Sequence, residues 1–296
     1  MDLLILLLLL PVAGALLILF PGTPLAWVRP LAMATAGLTL LYSLVLYTRL
    51  DFSSGAMQLY HVYPWNPRLG TSFSFGIDGI SWPLVVLTNL LTLLAITVSS
   101  YIQERIRTYY LLLLLLETAT MGVFLAQGWA LFYVFWELVL IPLFFLIDRW
   151  GGANRQTAAL NFVLYTLGGS IFMLLSLLVL FDATPRDDHF FLFTSMQAAG
   201  VSLPVEKQTL IFLGLLIGFG VKMLLFPLHG WLPLVYMEAP SPVNILLSGI
   251  LLKMGSYGLI RSVATFARCG TVSAKPAGDT GSDWPDLRWP AGLAAK

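Results

Sequence analysis

The stretch LFYVFWELVLIPLFFLI, Leu131 to Ile147, is apolar and aromatic apart from one carboxylate, Glu137, close to its middle. The run is long enough to cross about 30 Å of hydrocarbon. A charge at the centre of such a segment costs roughly 2.5–3.5 kcal/mol even on lenient insertion scales, so the carboxylate requires something that offsets it.

The rest of the chain has the same character. Of 296 residues, 58% are hydrophobic and only 10% charged, against about 25% charged in an ordinary soluble domain. These values describe a protein of the lipid bilayer. The net charge of +1 leaves no basic field for nucleic acid, and no lysine or arginine cluster marks a headgroup patch. A single cysteine, Cys269, excludes iron–sulfur clusters, cysteine-based zinc sites and an internal disulfide, so redox chemistry belongs to other chains.

Apolar windows of spanning length fall near 2–20, 30–48, 79–100, 109–126, 129–147, 157–181, 209–238 and 242–263. The fold class expected is all-α, a polytopic membrane protein of about eight transmembrane helices. The opening MDLLILLLLLPVAGALLILF lacks a positive leading segment and carries Asp2, so it reads as a retained helix rather than a signal peptide. The seventh span is interrupted at FPLHGWLPL, where Pro227 and Pro233 each remove a backbone donor and disfavour a helical residue before them. A broken helix is expected there, of the kind whose freed backbone groups face protein or a cavity.

Two polar loops, about 49–78 and 182–208, are expected on one face of the membrane. The short loops carrying Arg105 with Arg107, and Arg149 with Arg155, are expected on the cytoplasmic face. Residues 1–100 read as the first three helices with loop 49–78, and 101–263 as helices four to eight. Residues 264–296 have no apolar period and read as a disordered or aberrant tail.

Four ionisable residues lie deep in spans: Glu117 in the fourth, Glu137 in the fifth, Lys222 in the seventh and Lys253 in the eighth. Unpaired, they would together cost on the order of 10–14 kcal/mol, so they are expected to face each other or water. One reading is a buried Glu137–Lys222 ion pair that fixes helix register. The other is a proton path, because a dry lysine is easily neutralised and a nearby carboxylate restores its charge. His229, at the helix break, either relays a proton onward or is simply satisfied at the kink. Gly214, Gly218, Ser248, Gly249, Gly255 and Gly258 allow close helix approach, and the aromatic group Phe132, Tyr133, Phe135 and Trp136 reads as helix–helix contact. No phosphate-loop or dinucleotide glycine pattern is present, and only His229 among the histidines lies in a span, which argues against bound nucleotide and haem.

Four blocks carry a resemblance: GIDGISWPLVVLTNLLTLLAI (Gly76–Ile96), LFYVFWELVLIPLFFLI (Leu131–Ile147), GVKMLLFPLHGWLP (Gly220–Pro233) and EAPSPVNILLSGILLKMGSYGLIR (Glu238–Arg261). From about residue 70 to 261 the chain resembles the M-type (subunit 4), antiporter-like membrane subunit of proton-pumping NADH:quinone oxidoreductase, respiratory complex I, including its cyanobacterial and plastid forms. The resemblance implies a translocase subunit that couples quinone reduction elsewhere in the complex to proton movement. Glu137, Lys222 and Lys253 match the family's proton-translocating residues, with His229 and Glu117 as further relay candidates. It also implies that this chain holds no cofactor or metal, with NAD(H), quinone and iron–sulfur clusters in partner subunits. The partners implied are the other membrane-arm subunits and the lipid of a bacterial plasma membrane or thylakoid. Leu234 and Tyr236 stand where the family often has an acid and a histidine. Family members carry about fourteen helices in two inverted repeats, so the chain is expected to be the first repeat of a truncated protein. A subunit of a multi-subunit Na⁺/H⁺ antiporter or membrane-bound hydrogenase, and an inactive structural fragment, are the alternatives.

Overall fold

Fifteen of the twenty side chains of helix α4 (Ile106–Leu125) are buried, and the other helices assemble round it. The computed structural model describes residues 2–51, 56–66, 71–184 and 192–266. Ahead of α4 lie α1 (Leu3–Leu19), α2 (Leu25–Val45) and α3 (Ser81–Val98). After it come α5 (Trp129–Leu138), α6 (Leu140–Trp150), α7 (Arg155–Ala183), α8 (Phe193–Ser202) and α9 (Val205–Met223). The chain continues through α10 (Leu232–Glu238), α11 (Ser241–Leu246), a π-helical segment over Leu247–Leu251, and α12 (Leu252–Phe266).

Among the described residues, six helical segments are long and apolar enough to cross a membrane: Leu25–Arg49, Ser81–Tyr101, Ile106–Leu125, Trp129–Trp150, Arg155–Ala183 and Ser241–Ser262. α1 is a shorter apolar helix of 17 residues. α9, of 19 residues, carries Glu206, Lys207 and Lys222 and is the first limb of the broken seventh span. These eight elements coincide with the apolar windows of the sequence. Large exposed apolar residues such as Leu16, Leu41, Leu164 and Leu210 line their outer faces, as lipid contact requires.

The helix break forms where the prolines place it. α9 ends at Met223, and Leu224 takes a left-handed conformation with φ of 64°. The Phe226–Pro227 peptide is cis, and Pro233 falls in the first turn of α10, where a missing N–H is harmless. Trp231 closes the break: it is fully buried, its indole N–H donates to the Val221 carbonyl at 3.0 Å, and its ring packs on Phe162.

The loop regions hold more structure than their composition suggests. Within 49–78, β1 (Gln58–Asn66) and β2 (Thr71–Ile77) form an antiparallel hairpin, with His61 opposite Phe75 and Tyr63 opposite Phe73. Within 182–208 lies α8. Single bridges join Phe75 to Ala126 and Gly128 to Leu192, so both loop regions meet the α4–α5 turn. The all-α description therefore holds for the spans, while the extramembrane surface carries a small sheet. α12 runs to Phe266, three residues into the segment read as tail, and 267–296 lie outside the described residues.

Candidate functional site: the charges of the membrane interior

The site depends on how closely α9 can approach its neighbours. α9 packs between α7 and α12. A Cβ on Gly218 would lie 2.6 Å from the Met173 Cβ and 3.1 Å from the Gly169 carbonyl of α7. On the other side, one on Gly255 of α12 would lie 2.9 Å from the Phe219 carbonyl. The small residues thus bring backbone against backbone, as expected of membrane helix contacts.

Lys222 occupies the last turn of α9 and is 1% exposed. Its Nζ lies 3.8 Å from the centre of the Trp136 ring and donates to the Trp136 carbonyl at 3.3 Å. A cation over an indole face in a dry site gains on the order of 2 kcal/mol. The helix terminus adds the negative end of its dipole, which favours a cation. Phe132 and Trp136 stack at 5.6 Å, and Phe219 meets both rings edge-on, so an aromatic wall encloses the ammonium. The aromatic group is helix–helix contact, as its composition suggests, and it also holds the lysine.

Glu137 follows Trp136 in the same helix. It is half-buried, and its Oε1 is enclosed without a hydrogen-bond partner. No carboxylate–ammonium contact within 4.0 Å joins it to Lys222; the ion pairs among the described residues are His61–Asp2, Arg149–Asp148 and Arg261–Asp78. Of the two readings, the register-fixing ion pair is not made at direct contact: the carbonyl and ring of the residue beside Glu137 take the ammonium. The physical reason is that an aromatic face and a carbonyl satisfy a cation without the full desolvation of a second ion.

The other candidates are placed differently. Lys253 lies on an exposed face of α12, and its Nζ donates to the Gly249 carbonyl within the π-helical segment. That carbonyl satisfies it locally, four residues back. Glu117 is 1% exposed in the middle of α4, and neither of its carboxylate oxygens has a partner. Neither Lys253 nor Glu117 is in an ion pair among the described residues. His229 sits exposed in the turn between α9 and α10, its ring 5.6 Å from that of Phe226. The structure brings Lys222 and Trp136 together, with Glu137 next in sequence, and no hydrogen bond or ion pair among the described residues joins Lys253, Glu117 or His229 to them. No group of three or more His, Cys, Asp or Glu side chains among the described residues is placed to hold a metal ion.

Two functional features escaped sequence reasoning. One is Trp136 as the lysine's partner. The other is a clamp in which Arg261 donates to Asp78 Oδ2 at 2.6 Å across 183 residues of chain. Asp78 Oδ1 also accepts from the backbone N–H groups of Ile80 and Ser81 at 3.1 and 2.8 Å, anchoring the start of α3. Burial pushes the Asp78 carboxyl up, but the Arg261 charge and the hydrogen bonds from Arg261 and Ser81 outweigh it and hold the group below the usual range. Both residues stand inside the quoted blocks, GIDGI and GLIR, which is the one signal that could have pointed to them.

Residues 126–275 match the family described as NADH:quinone oxidoreductase/Mrp antiporter, TM. The chain is 41% identical over 236 residues to NAD(P)H-quinone oxidoreductase chain 4 of a Synechococcus strain, covering 79% of this chain and 44% of that protein. It is 42% identical over 256 residues to a chain 4 of Thermosynechococcus vestitus, covering 86% and 47%. Among solved structures, a chain of respiratory complex I from Thermus thermophilus with bound NADH superposes with a TM-score of 0.78 at 33% identity, covering 90% of this chain and 54% of that one. A chain of an archaeal membrane-bound sulfane sulfur reductase shares the fold, with a TM-score of 0.74 at 22% identity. The chain spans less than half the length of the chain 4 proteins it matches. The chain is a multi-pass membrane protein that belongs to the NADH:quinone oxidoreductase/Mrp antiporter transmembrane family, with its similarity running to the M-type, chain 4 members.

Proposed function

We propose that this chain is a proton-translocating membrane-arm subunit of an NAD(P)H-quinone oxidoreductase, in a plasma or thylakoid membrane. The observation that carries the reading is Lys222: an enclosed lysine, held by an aromatic face and one carbonyl, beside a half-buried carboxylate on the neighbouring helix. Burial disfavours the ammonium while the ring and carbonyl favour it, so the approach or withdrawal of charge on Glu137 shifts the balance between its two protonation states. The pair then acts as a switch, with Lys253 carrying the proton beyond α12, and Glu117 and His229 as relays. NAD(H), quinone and iron–sulfur clusters belong to partner subunits. Lys253 faces away from the chain, and an ammonium does not face lipid cheaply, so this face is covered by protein in the complex.

Identity to chain 4 over most of this sequence favours the oxidoreductase over the multi-subunit antiporter and hydrogenase readings that share the fold. The test is NADH-driven proton uptake, measured beside NADH oxidation, in vesicles holding the assembled complex. Glu137→Gln and Lys222→Ala are each expected to lower proton uptake on the order of 10²-fold or more, the scale of a lost positioned acid or base. Unchanged uptake in both, with normal assembly, leaves the chain as an inert structural piece.

A further inference from the structure

Glu117 is buried with both carboxylate oxygens unpartnered. It lines a small cavity with Thr88 and Thr92 of α3 and Thr120 of its own helix, bordered by apolar side chains of α6 and the α11–α12 segment. The space open to a solvent centre is about 10 Å³, room for one water molecule. Glu137 and Lys222 are not among its lining residues.

The hydrogen-bond inventory decides what this cavity can accept. Thr88 donates its hydroxyl proton to the Leu84 carbonyl at 2.8 Å, Thr92 to the Thr88 carbonyl at 3.0 Å, and Thr120 to the Leu116 carbonyl at 2.7 Å. Each hydroxyl has spent its one proton, so what remains is acceptor lone pairs. An ionised carboxylate there would face acceptors only. A proton on Glu117 provides the absent donor, and a water molecule brings two more.

We propose that the relay candidate Glu117 is itself a proton site, in a cavity that neither Glu137 nor Lys222 lines, in which a protonated carboxyl shares its hydrogen with one water held by threonine hydroxyl oxygens. Exchange moves the carboxyl proton to the water while a proton returns from the water to the other carboxyl oxygen, so no net charge is left behind. The inference deepens the proton-path reading and rests on it only for the use made of the proton, not for its presence.

The experiment is infrared spectroscopy of the full chain in lipid vesicles at neutral pH, in H₂O and D₂O. The expected result is a protonated carboxylic-acid carbonyl band that shifts in D₂O and is lost in Glu117→Gln. Thr120→Val is expected to move that band to higher frequency by removing an acceptor, with helix content unchanged. If Glu117→Gln does not fold, Thr120→Val decides alone, and an unmoved band overturns the proposal. An acid band indifferent to Glu117→Gln overturns it, as does a band that appears only when Na⁺ is withdrawn, which makes the cavity a cation site. Because the readout needs no pumping, a failure here leaves the Lys222 reading standing, and normal pumping in Lys222 variants leaves this one standing.

Discussion

Two lysines in the membrane interior, Lys222 and Lys253, have been given opposite surroundings. Lys222 ends a broken helix, is buried to 1% exposure, and meets a ring and a carbonyl from another helix. Lys253 lies in the first turn of α12, on its outer face, and meets a carbonyl of the π-helical segment that runs into that helix. The difference shows what a helix break adds. A regular helix has no spare polar groups, so a charge on it must find its partner on another surface or bend back along the helix. A helix terminus supplies dipole and free carbonyl groups at depth, and can enclose the charge within one chain.

The contrast is most directly broken by chemical access. In a Cys269→Ser background in detergent, Lys253→Cys is expected to react with a maleimide at least about tenfold faster than Lys222→Cys, since exposure governs thiol reactivity. Assembly into the complex should then protect Lys253→Cys and leave Lys222→Cys unchanged. Equal rates in the isolated chain contradict the enclosure of Lys222.

Enclosure depends on the close approach of α7 and α9. Gly218→Leu forces a side chain against Met173 and the Gly169 carbonyl, an overpacking that costs about 1–3 kcal/mol or more. It is expected to lower the thermal midpoint and to make Lys222→Cys reactive. A variant equally stable and equally protected shows that backbone contact is not what shields the lysine.

The smallest effect concerns the helix that carries Lys253. Its end is tied to the start of α3 by Arg261 and Asp78, and removing the charge with Asp78→Asn is expected to cost about 1–3 kcal/mol at neutral pH. Because the folded carboxyl sits below its usual value of 3.8, this contribution is present above that value and lost as pH falls through the lower folded one. The stability curves of the parent chain and Asp78→Asn should therefore converge in acid, below about pH 4. Curves that stay parallel show that the clamp does not stabilise the fold.

Much of this arrangement is legible in the sequence, for reasons that also explain what is not. Apolar length identifies spans because lipid demands it, and Pro227 with Pro233 marks the break because a missing N–H cannot be hidden. Glu137 and Lys222 stand out as charges where charges are costly. The partner of Lys222 does not stand out, since any residue has a carbonyl and the chain has nine tryptophans. The direct ion pair was the natural expectation because sequence reasoning matches charge with charge. The hairpin of Gln58–Ile77 is hidden by the turn-rich composition between its strands, and Asp78 with Arg261 by the 183 residues that separate them.

The central claim, that Lys222 works by losing and regaining a proton, is tested by one substitution. Lys222→Arg keeps a cation able to stack on Trp136 and reach its carbonyl, but arginine stays protonated at any accessible pH. The measurement is proton uptake per NADH oxidised in vesicles holding the correctly assembled complex. The account predicts that Lys222→Arg assembles normally and loses uptake as completely as Lys222→Ala; near-normal uptake in Lys222→Arg contradicts it and leaves Lys222, Trp136 and Glu137 as architecture.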